Sequence, residues 1–366
     1  MKIDRIRVGE SVIPLKRPFV TALRRVENLE SIVVCVGSDT GLTGYGETAP
    51  TEAITGESRE RILEGLVLLR QELAGKEMAD FDGLIEQIKT LLPDHPNARS
   101  AMEIALYDLA AQDAGVPLVE YLGGEIVPLE TGITISLGET DAMVEQARQA
   151  VADGFSSLKI KLGADPDEDI ERVTAIHEAL GDRVHLKLDA NQGWRADEAI
   201  GFLQELGRRG IPIELIEQPL PRDDLAGLAE VRRHSAIPIL VDESVFTLED
   251  AVRVLEAEAA DRINIKLDKC GGISEALAIA DLCTERGVKC MMGCMLEGAV
   301  SVGAAAHVAA ARPETITMID LDAPLLCAEK PVEGGVVFGV PDIVIPRRAG
   351  LGIERIEGIH WIKESN

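Results

Sequence analysis

Five ionisable side chains recur along the middle of the chain, each closing a short apolar run. They are Lys161 after Leu-Lys-Ile, Asp189 after Val-His-Leu-Lys-Leu, Glu217 after Ile-Glu-Leu-Ile, Asp242 after Ile-Pro-Ile-Leu-Val and Lys266 after Ile-Asn-Ile. The steps between them are 28, 28, 25 and 24 residues, roughly what a parallel strand, a covering helix and two short loops consume. Three carboxylates and two amines at one end of successive strands equip a site for one hard divalent ion flanked by two bases. Asp189, Glu217 and Asp242 offer only oxygen, which suits Mg²⁺ with positions left for water or a substrate oxygen. Histidine is absent from these positions, which disfavours zinc. Side chains two apart in a strand share a face, so Lys159 accompanies Lys161 and Lys187 accompanies Asp189. A second cation is expected to lower the pKa of Lys161 toward that of a general base. Lys266 lies across the sheet from Lys161. Two lysines on opposite sides of one carbon can take a proton from one face and return it to the other. A chelated carboxylate substrate would have its α-proton acidified for that purpose. Asn191 either supports the metal shell or caps the turn after Asp189. Charges of this kind also serve as plain ion pairs, but five in register at one end are hard to attribute to packing.

The same rhythm runs on in both directions through Ser136, Cys294 and Asp320, giving eight strand ends. Stretches with apolar residues at three-to-four spacing lie between them, and Thr247 and Ser274 read as helix caps. Eight such units over residues 126–325 imply a (β/α)8 barrel, whose active sites lie at the C-terminal strand ends. The rival, an open doubly wound sheet, explains neither the count nor the lack of a G-x-G-x-x-G turn. Residues 1–125 read as α+β. Strands are expected at 2–8, 31–36 and 43–47 with a turn at Asp39-Thr40-Gly41, then helices at 58–73, 80–91 and 98–114. The last helix should stop at Gly115-Val116-Pro117. The Gly- and Pro-rich tail, 326–366, is expected to pack back on this capping domain.

Hydrophobic residues make up 46% of the 366-residue chain, enough for a sizeable core. The net charge of −26 argues against nucleic-acid partners. No apolar run approaches the ~20 residues of a membrane span, and the first ten residues lack a signal-peptide core. A cytoplasmic enzyme with no membrane partner is the expectation, a homo-oligomer acting on a small molecule. Six cysteines without zinc spacing are expected to be reduced thiols.

Lys159-Ile160-Lys161, Asp189-Ala190-Asn191, Ile216-Glu217-Gln218-Pro219, Asp242-Glu243-Ser244 and Asn264-Ile265-Lys266 together resemble the enolase superfamily, muconate-lactonizing subgroup, over essentially the whole chain. The resemblance implies a capped barrel binding Mg²⁺ through Asp189, Glu217 and Asp242, with Lys161 and Lys266 as the acid/base pair and Lys159 in support. Within the subgroup, Asp320-Leu321-Asp322 followed by Ala323-Pro324 is similar to the dipeptide epimerases, where the acidic pair binds the substrate ammonium. A solvated acidic loop is the plain alternative. Thr21-Ala22-Leu23-Arg24 and Ile54-Thr55-Gly56-Glu57 resemble the two lid loops of the L-Ala-D/L-Glu epimerases. There Arg24 would pair with the side-chain carboxylate of the second residue and Ile54 would close the site; Arg25 adjoins and could serve instead. Ser136 is a further expected substrate contact, and Asp268, Cys294 and Glu297 are secondary candidates. Met295-Leu296-Glu297-Gly298 departs from the pattern toward smaller residues, which leaves the second-position preference open. The implied reaction is Mg²⁺-dependent epimerisation of a dipeptide, L-Ala-D/L-Glu foremost, in peptidoglycan peptide recycling. The alternatives are an N-acylamino acid racemase or o-succinylbenzoate synthase, a dipeptide epimerase preferring apolar second residues, and a non-catalytic binding protein on the same barrel.

Overall fold

A computed structural model describes residues 1–21, 24–163 and 165–363. The N-terminal sheet is antiparallel, built from Ile3–Val20, Arg25–Ser38 and Thr43–Thr48. Its first two strands extend well beyond the expected 2–8 and 31–36 and form one long hairpin, paired as far as Val20 opposite Arg25. Thr21 and Arg24 flank its tip; Ala22 and Leu23 of the expected lid loop lie outside the described residues. Ile32 to Val36 are all buried, because this strand is covered on both faces rather than one.

Three helices, Arg59–Leu73, Phe81–Leu91 and Pro96–Ala114, pack on that sheet. Ser58 caps the first by accepting the Arg61 N–H, and the third ends at Gly115 in the left-handed conformation. The long helix rides directly on the third strand. A Cβ at Gly44 or Gly46 would meet the carbonyl oxygens of Ala105 or Ala101 at 2.0 or 1.9 Å. Only glycine permits that approach.

Eight parallel strands follow: Ile133–Ile135, Ser157–Lys161, His185–Asp189, Leu215–Glu217, Ile239–Val241, Arg262–Ile265, Lys289–Gly293 and Ile316–Asp320. Each pairs with its sequence neighbour, in the order expected of a (β/α)8 barrel. Register places Lys161 opposite Asp189 and Asp189 opposite Glu217, so the charged ends form one rim. The seam between the first and eighth strands carries no ladder pairing among the described residues. It is closed by side chains: Thr131 Oγ1 accepts the Leu321 N–H at 2.9 Å, and Asp322 Oδ2 accepts the Thr134 N–H at 2.7 Å.

Thr247 caps the helix Leu248–Glu256 in a capping box with Asp250. The expected cap at Ser274 is corrected. That helix starts at Ile273 after Gly272, and Ser274 instead donates its hydroxyl to Glu103 of the long N-terminal helix, tying the two layers together. The Ala-rich helix Ala299–Ala311 is buried on all sides from Val300 onward, wedged between barrel and N-terminal helices. The tail returns to the N-terminal sheet, where His360–Trp361 pairs with the first strand, and also to the far end of the barrel, where Asp342–Val344 pairs with Leu129–Glu130. No helix among the described residues is long and apolar enough to cross a membrane. All six cysteines are free thiols.

Candidate active site

A cavity sits over the C-terminal rim of the barrel, with Lys161 of the second strand and Lys266, just after the sixth, in its wall. They are four strand positions apart in a barrel of eight, so they stand on opposite sides. Lys161 Nζ donates to Asp189 Oδ2 at 2.5 Å and Asn191 Oδ1 at 3.2 Å. Lys266 Nζ donates to Asp242 Oδ2 at 2.6 Å. Lys159 reaches three carboxylates: Glu217 at 2.8 Å, Asp320 at 2.9 Å and Asp189 at 3.2 Å. The expectation that Lys159 acts as a bare cation beside Lys161 is therefore revised, since its charge is matched by those carboxylates. Burial opposes the charge of Lys159, but Asp320, Glu217 and Asp189 outweigh it and hold its pKa well above the usual lysine range. Burial likewise opposes Lys266, and Asp242 more than offsets it, so its pKa is raised rather than lowered.

The carboxylates divide according to their neighbours. Burial would raise all of them, yet Lys161 and Lys159 pull Asp189 below the ordinary value, and Lys266 and Lys269 do the same to Asp242. Glu217 stays raised, by burial and then by Asp189. Glu243 is pushed up to about 8 by burial and by Asp242 and Asp189, and its Oε2 is buried with no hydrogen-bond partner among the described residues. Among those residues no three His, Cys, Asp or Glu side chains stand as a metal cluster; lysines hold Asp189, Glu217 and Asp242 instead.

The donor set nevertheless fits a hard dication. Six carboxylates (Asp189, Glu217, Asp242, Glu243, Asp320, Asp322) gather with five ammonium groups (Lys159, Lys161, Lys187, Lys266, Lys269). With all of these groups ionised, a dication together with one substrate carboxylate would bring that sum to zero. Burial first, and the neighbouring carboxylates after it, raise Glu217 and Glu243.

Several expected residues fall into place around the cavity. Arg24, Ile54, Asn191, Cys294, Asp320 and Asp322 all line it. Arg24, and not Arg25, faces inward: Arg25 pairs with exposed Glu27 at 3.5 Å. Burial lowers the Arg24 pKa, with no carboxylate among the described residues offsetting it. Asp320 is held ionised, well below its usual value despite burial, by Lys159 and Lys187. Asp322 is raised by burial and by Asp320. Asn191 adopts φ 43°, donates its N–H to Asp189 Oδ1 at 2.9 Å and its Nδ2 to Glu243 Oε1 at 3.4 Å, so it both turns the chain and orients the carboxylates.

Three expectations are corrected. Ser136 does not line this cavity; its Oγ accepts the Val20 N–H and it lines an adjoining cleft that shares Phe19, Thr134 and Leu326 with the cavity. Thr134, two residues earlier on the same strand face, lines the cavity in its place. Asp268 is fully buried against the Ala49 N–H at 3.0 Å. Glu297 folds back to accept the Met295 N–H at 2.5 Å and the Ser301 hydroxyl. Neither lines the cavity. Met295 and Leu296 do, presenting full-sized apolar side chains rather than small ones. Cys294 donates Sγ–H to the Asp320 carbonyl at 3.5 Å, and burial beside Asp322 and Glu297 keeps it a thiol.

Two supporting residues carried no role in the sequence reading. Lys269 is 1% exposed and donates to the Asp242 carbonyl oxygen, to Asp242 Oδ1 at 2.7 Å and to Asn264 O at 2.9 Å. Gln218 Oε1 accepts the Asp242 N–H at 2.8 Å. Gln218 sits inside the quoted Ile216–Pro219 run and Lys269 three residues past Lys266, which is the only signal the sequence offered.

Family models match both halves of the chain: "Mandelate racemase / muconate lactonizing enzyme, N-terminal domain" over residues 3–123 and "Enolase C-terminal domain-like" over residues 142–358. The chain belongs to this family of the enolase superfamily. It is similar to the L-Ala-D/L-Glu epimerase of Clostridium acetobutylicum, 44% identical over 97% of this chain and 99% of that protein. Among solved structures it resembles a substrate-liganded complex of the L-Ala-D/L-Glu epimerase from Bacillus subtilis (42% identity, TM-score 0.95, covering 97% of this chain and 99% of that one). It also resembles the dipeptide epimerase of Enterococcus faecalis complexed with Mg and the dipeptide L-Leu-L-Tyr (41%, TM-score 0.94, covering 97% and 100%).

Proposed function

We propose that the chain is a Mg²⁺-dependent epimerase that exchanges the α-proton of a dipeptide's C-terminal residue, with L-Ala-D/L-Glu as its substrate. The observation that carries this reading is Arg24, a guanidinium lining the cavity whose partial burial no carboxylate among the described residues offsets. An acidic second residue supplies the missing charge. Asp320 and Asp322 line the same cavity and match the substrate ammonium, which an N-acyl amino acid lacks; an N-acylamino acid racemase or o-succinylbenzoate synthase therefore fits less well.

Asp189, Glu217 and Asp242 would hold the ion, which when bound supplies the positive charge that acidifies a carboxylate's α-proton. Lys161 and Lys266 reach the α-carbon from opposite sides, one removing the proton and the other delivering one. Lys159 orients the substrate carboxylate. Ile54 and Thr134 shape the cavity around the side chains. In this reading residues 1–125 with 326–366 form the cap and 126–325 the catalytic barrel. The enzyme works in the cytoplasm on peptides released from peptidoglycan.

A second reading, preference for apolar second residues, is favoured by Phe19, Met295, Leu296 and Leu326 in the cavity wall; a hydrophobic dipeptide epimerase from Enterococcus faecalis is 41% identical. Incubation in D₂O with Mg²⁺, read by mass spectrometry, separates the readings. L-Ala-L-Glu should gain one deuterium and its epimer appear, faster than with L-Ala-L-Leu. Faster exchange in L-Ala-L-Leu selects the second reading, and exchange confined to N-succinyl amino acids rejects both.

A further inference from the structure

The stretch from Ala49 to Glu57 leaves the N-terminal sheet, places Ala53 and Ile54 on the cavity and returns to the helix starting at Arg59. Its middle is a single helical turn, Glu52–Thr55, closed by Gly56 in the left-handed conformation. One turn of helix is not stable by itself, and Ala53 is exposed. Something else must hold this segment where the substrate meets it.

Both feet of the segment end on one residue, the first on its side chain and the second on its backbone N–H. Asn97, fully buried in the first turn of the helix Pro96–Ala114, donates Nδ2–H to Ala49 O at 3.0 Å and to Thr48 Oγ1 at 3.0 Å. Its backbone N–H donates to Glu57 Oε2 at 2.6 Å. Both amide protons are thus spent on the first foot, while Oδ1 has no partner among the described residues, a cost a purely space-filling residue would not incur. Two further anchors complete the arrangement. Asp268 Oδ2 accepts the Ala49 N–H at 3.0 Å, fixing the first foot to the barrel just past Lys266. His95 Nδ1 lies 2.9 Å from Glu57 Oε1 and steadies the second. Glu57 and Asp268 are both fully buried. Asp268, which does not line the cavity, is thereby given a place.

We propose that Asn97 is the positioning residue of this cavity wall: it staples both feet of residues 49–57 to one helix and so presets Ile54 against the side chain of the reacting residue. The proposal rests on the dipeptide reading above for the identity of that side chain. It does not rest on that reading for the staple itself. Asn97 touches no substrate; it acts through the loop.

The test uses the Mg²⁺-loaded enzyme. In Asn97→Leu, which keeps the volume, removes the two side-chain donors and leaves the backbone N–H on Glu57, amide exchange over residues 51–56 should rise about 10- to 50-fold, with the rest of the helix Pro96–Ala114 unchanged. The ratio of kcat/KM for L-Ala-L-Glu over L-Ala-L-Met should fall several-fold, mainly through KM. A purely structural loss would lower both substrates alike. Unchanged exchange over 51–56 overturns the staple whatever the substrate is. Raised exchange with an unchanged ratio overturns the role in specificity and leaves the epimerase reading intact. Glu57→Leu, which frees only the second foot, provides an independent variant and should raise exchange from residue 54 onward; no rise there would also overturn the staple.

Discussion

Replacing Arg24 by methionine sets function against stability at one position. The guanidinium stands in the cavity wall with its pKa lowered by burial and no carboxylate among the described residues offsetting it. Its desolvation is thus left uncompensated until an anionic side chain arrives. Hydrogen bonds to charged groups contribute roughly 1.5–3 kcal/mol, or about 10- to 150-fold at 1.4 kcal/mol per decade. Arg24→Met should therefore lower kcat/KM for L-Ala-L-Glu by about that factor, while L-Ala-L-Met changes less than about threefold. The free enzyme should not suffer, because a half-buried cation with no carboxylate partner among the described residues has been removed; a gain on the order of 1 kcal/mol is expected, seen as a small rise in Tm. Steady-state kinetics on both dipeptides and a calorimetric scan of each protein supply the data. Equal losses on the two dipeptides would refute the pairing with a substrate carboxylate. A clear drop in Tm would show that Arg24 is paired within the protein after all.

Lys161→Ala and Lys266→Ala should each abolish α-proton exchange with one epimer and spare the other, by about 10²–10⁴-fold; equal small effects on both epimers, read by NMR in D₂O, would leave these lysines only a charge-balancing role. Asp189→Asn, Glu217→Gln and Asp242→Asn should each lose Mg²⁺ binding by calorimetry as well as turnover, since each removes charge that offsets a dication; retention of normal turnover in EDTA by any of them would reject the ion's assignment. His307, buried with Nδ1 accepting the Val119 N–H at 2.9 Å, has its pKa lowered by burial to about 3. Because the folded value lies below the unfolded one of about 6.5, its contribution is complete above pH 6.5 and is lost as pH falls toward 3, at most ~1.4 kcal/mol per pH unit. His307→Gln keeps the acceptor and should flatten the denaturation midpoint between pH 6.5 and 4.5. Glu103 and Asp108, raised by burial to about 7 and about 6, gain stability in the opposite direction but are common to both proteins. Parallel curves for the two would contradict the buried neutral imidazole.

The barrel was legible because its signal is local and repeated. Each strand is a short apolar run, and a charge at its end marks the C-terminal rim whether the strand stops at Lys161 or one residue before Asp242. A one-residue difference matters more for a side chain's direction. The first barrel strand ends at Ile135 rather than at Ser136, and that step turns Ser136 to the outer cleft and leaves Thr134 on the cavity. Pairing across elements was the part the sequence left open. Periodicity put Lys159 and Lys161 on one face but said nothing of rotamers, and it is the reach of Lys159 to Asp189, Glu217 and Asp320 that turns a supposed bare cation into a neutralised one. Ser274 shows the same limit, since its hydroxyl serves Glu103 more than 170 residues away in place of its own helix end. Asp322 joins both kinds of information. Its spacing from Asp320 marked an acidic pair for an ammonium, and the structure adds that one of its oxygens closes the barrel seam on Thr134 N–H. Only its other oxygen is left to the substrate. The pair is therefore unequal: two lysines form ion pairs with Asp320, whereas among the described residues none does with Asp322, which feels Lys159 only at longer range, so on the proposed reading the ammonium would find its less compensated partner at Asp322.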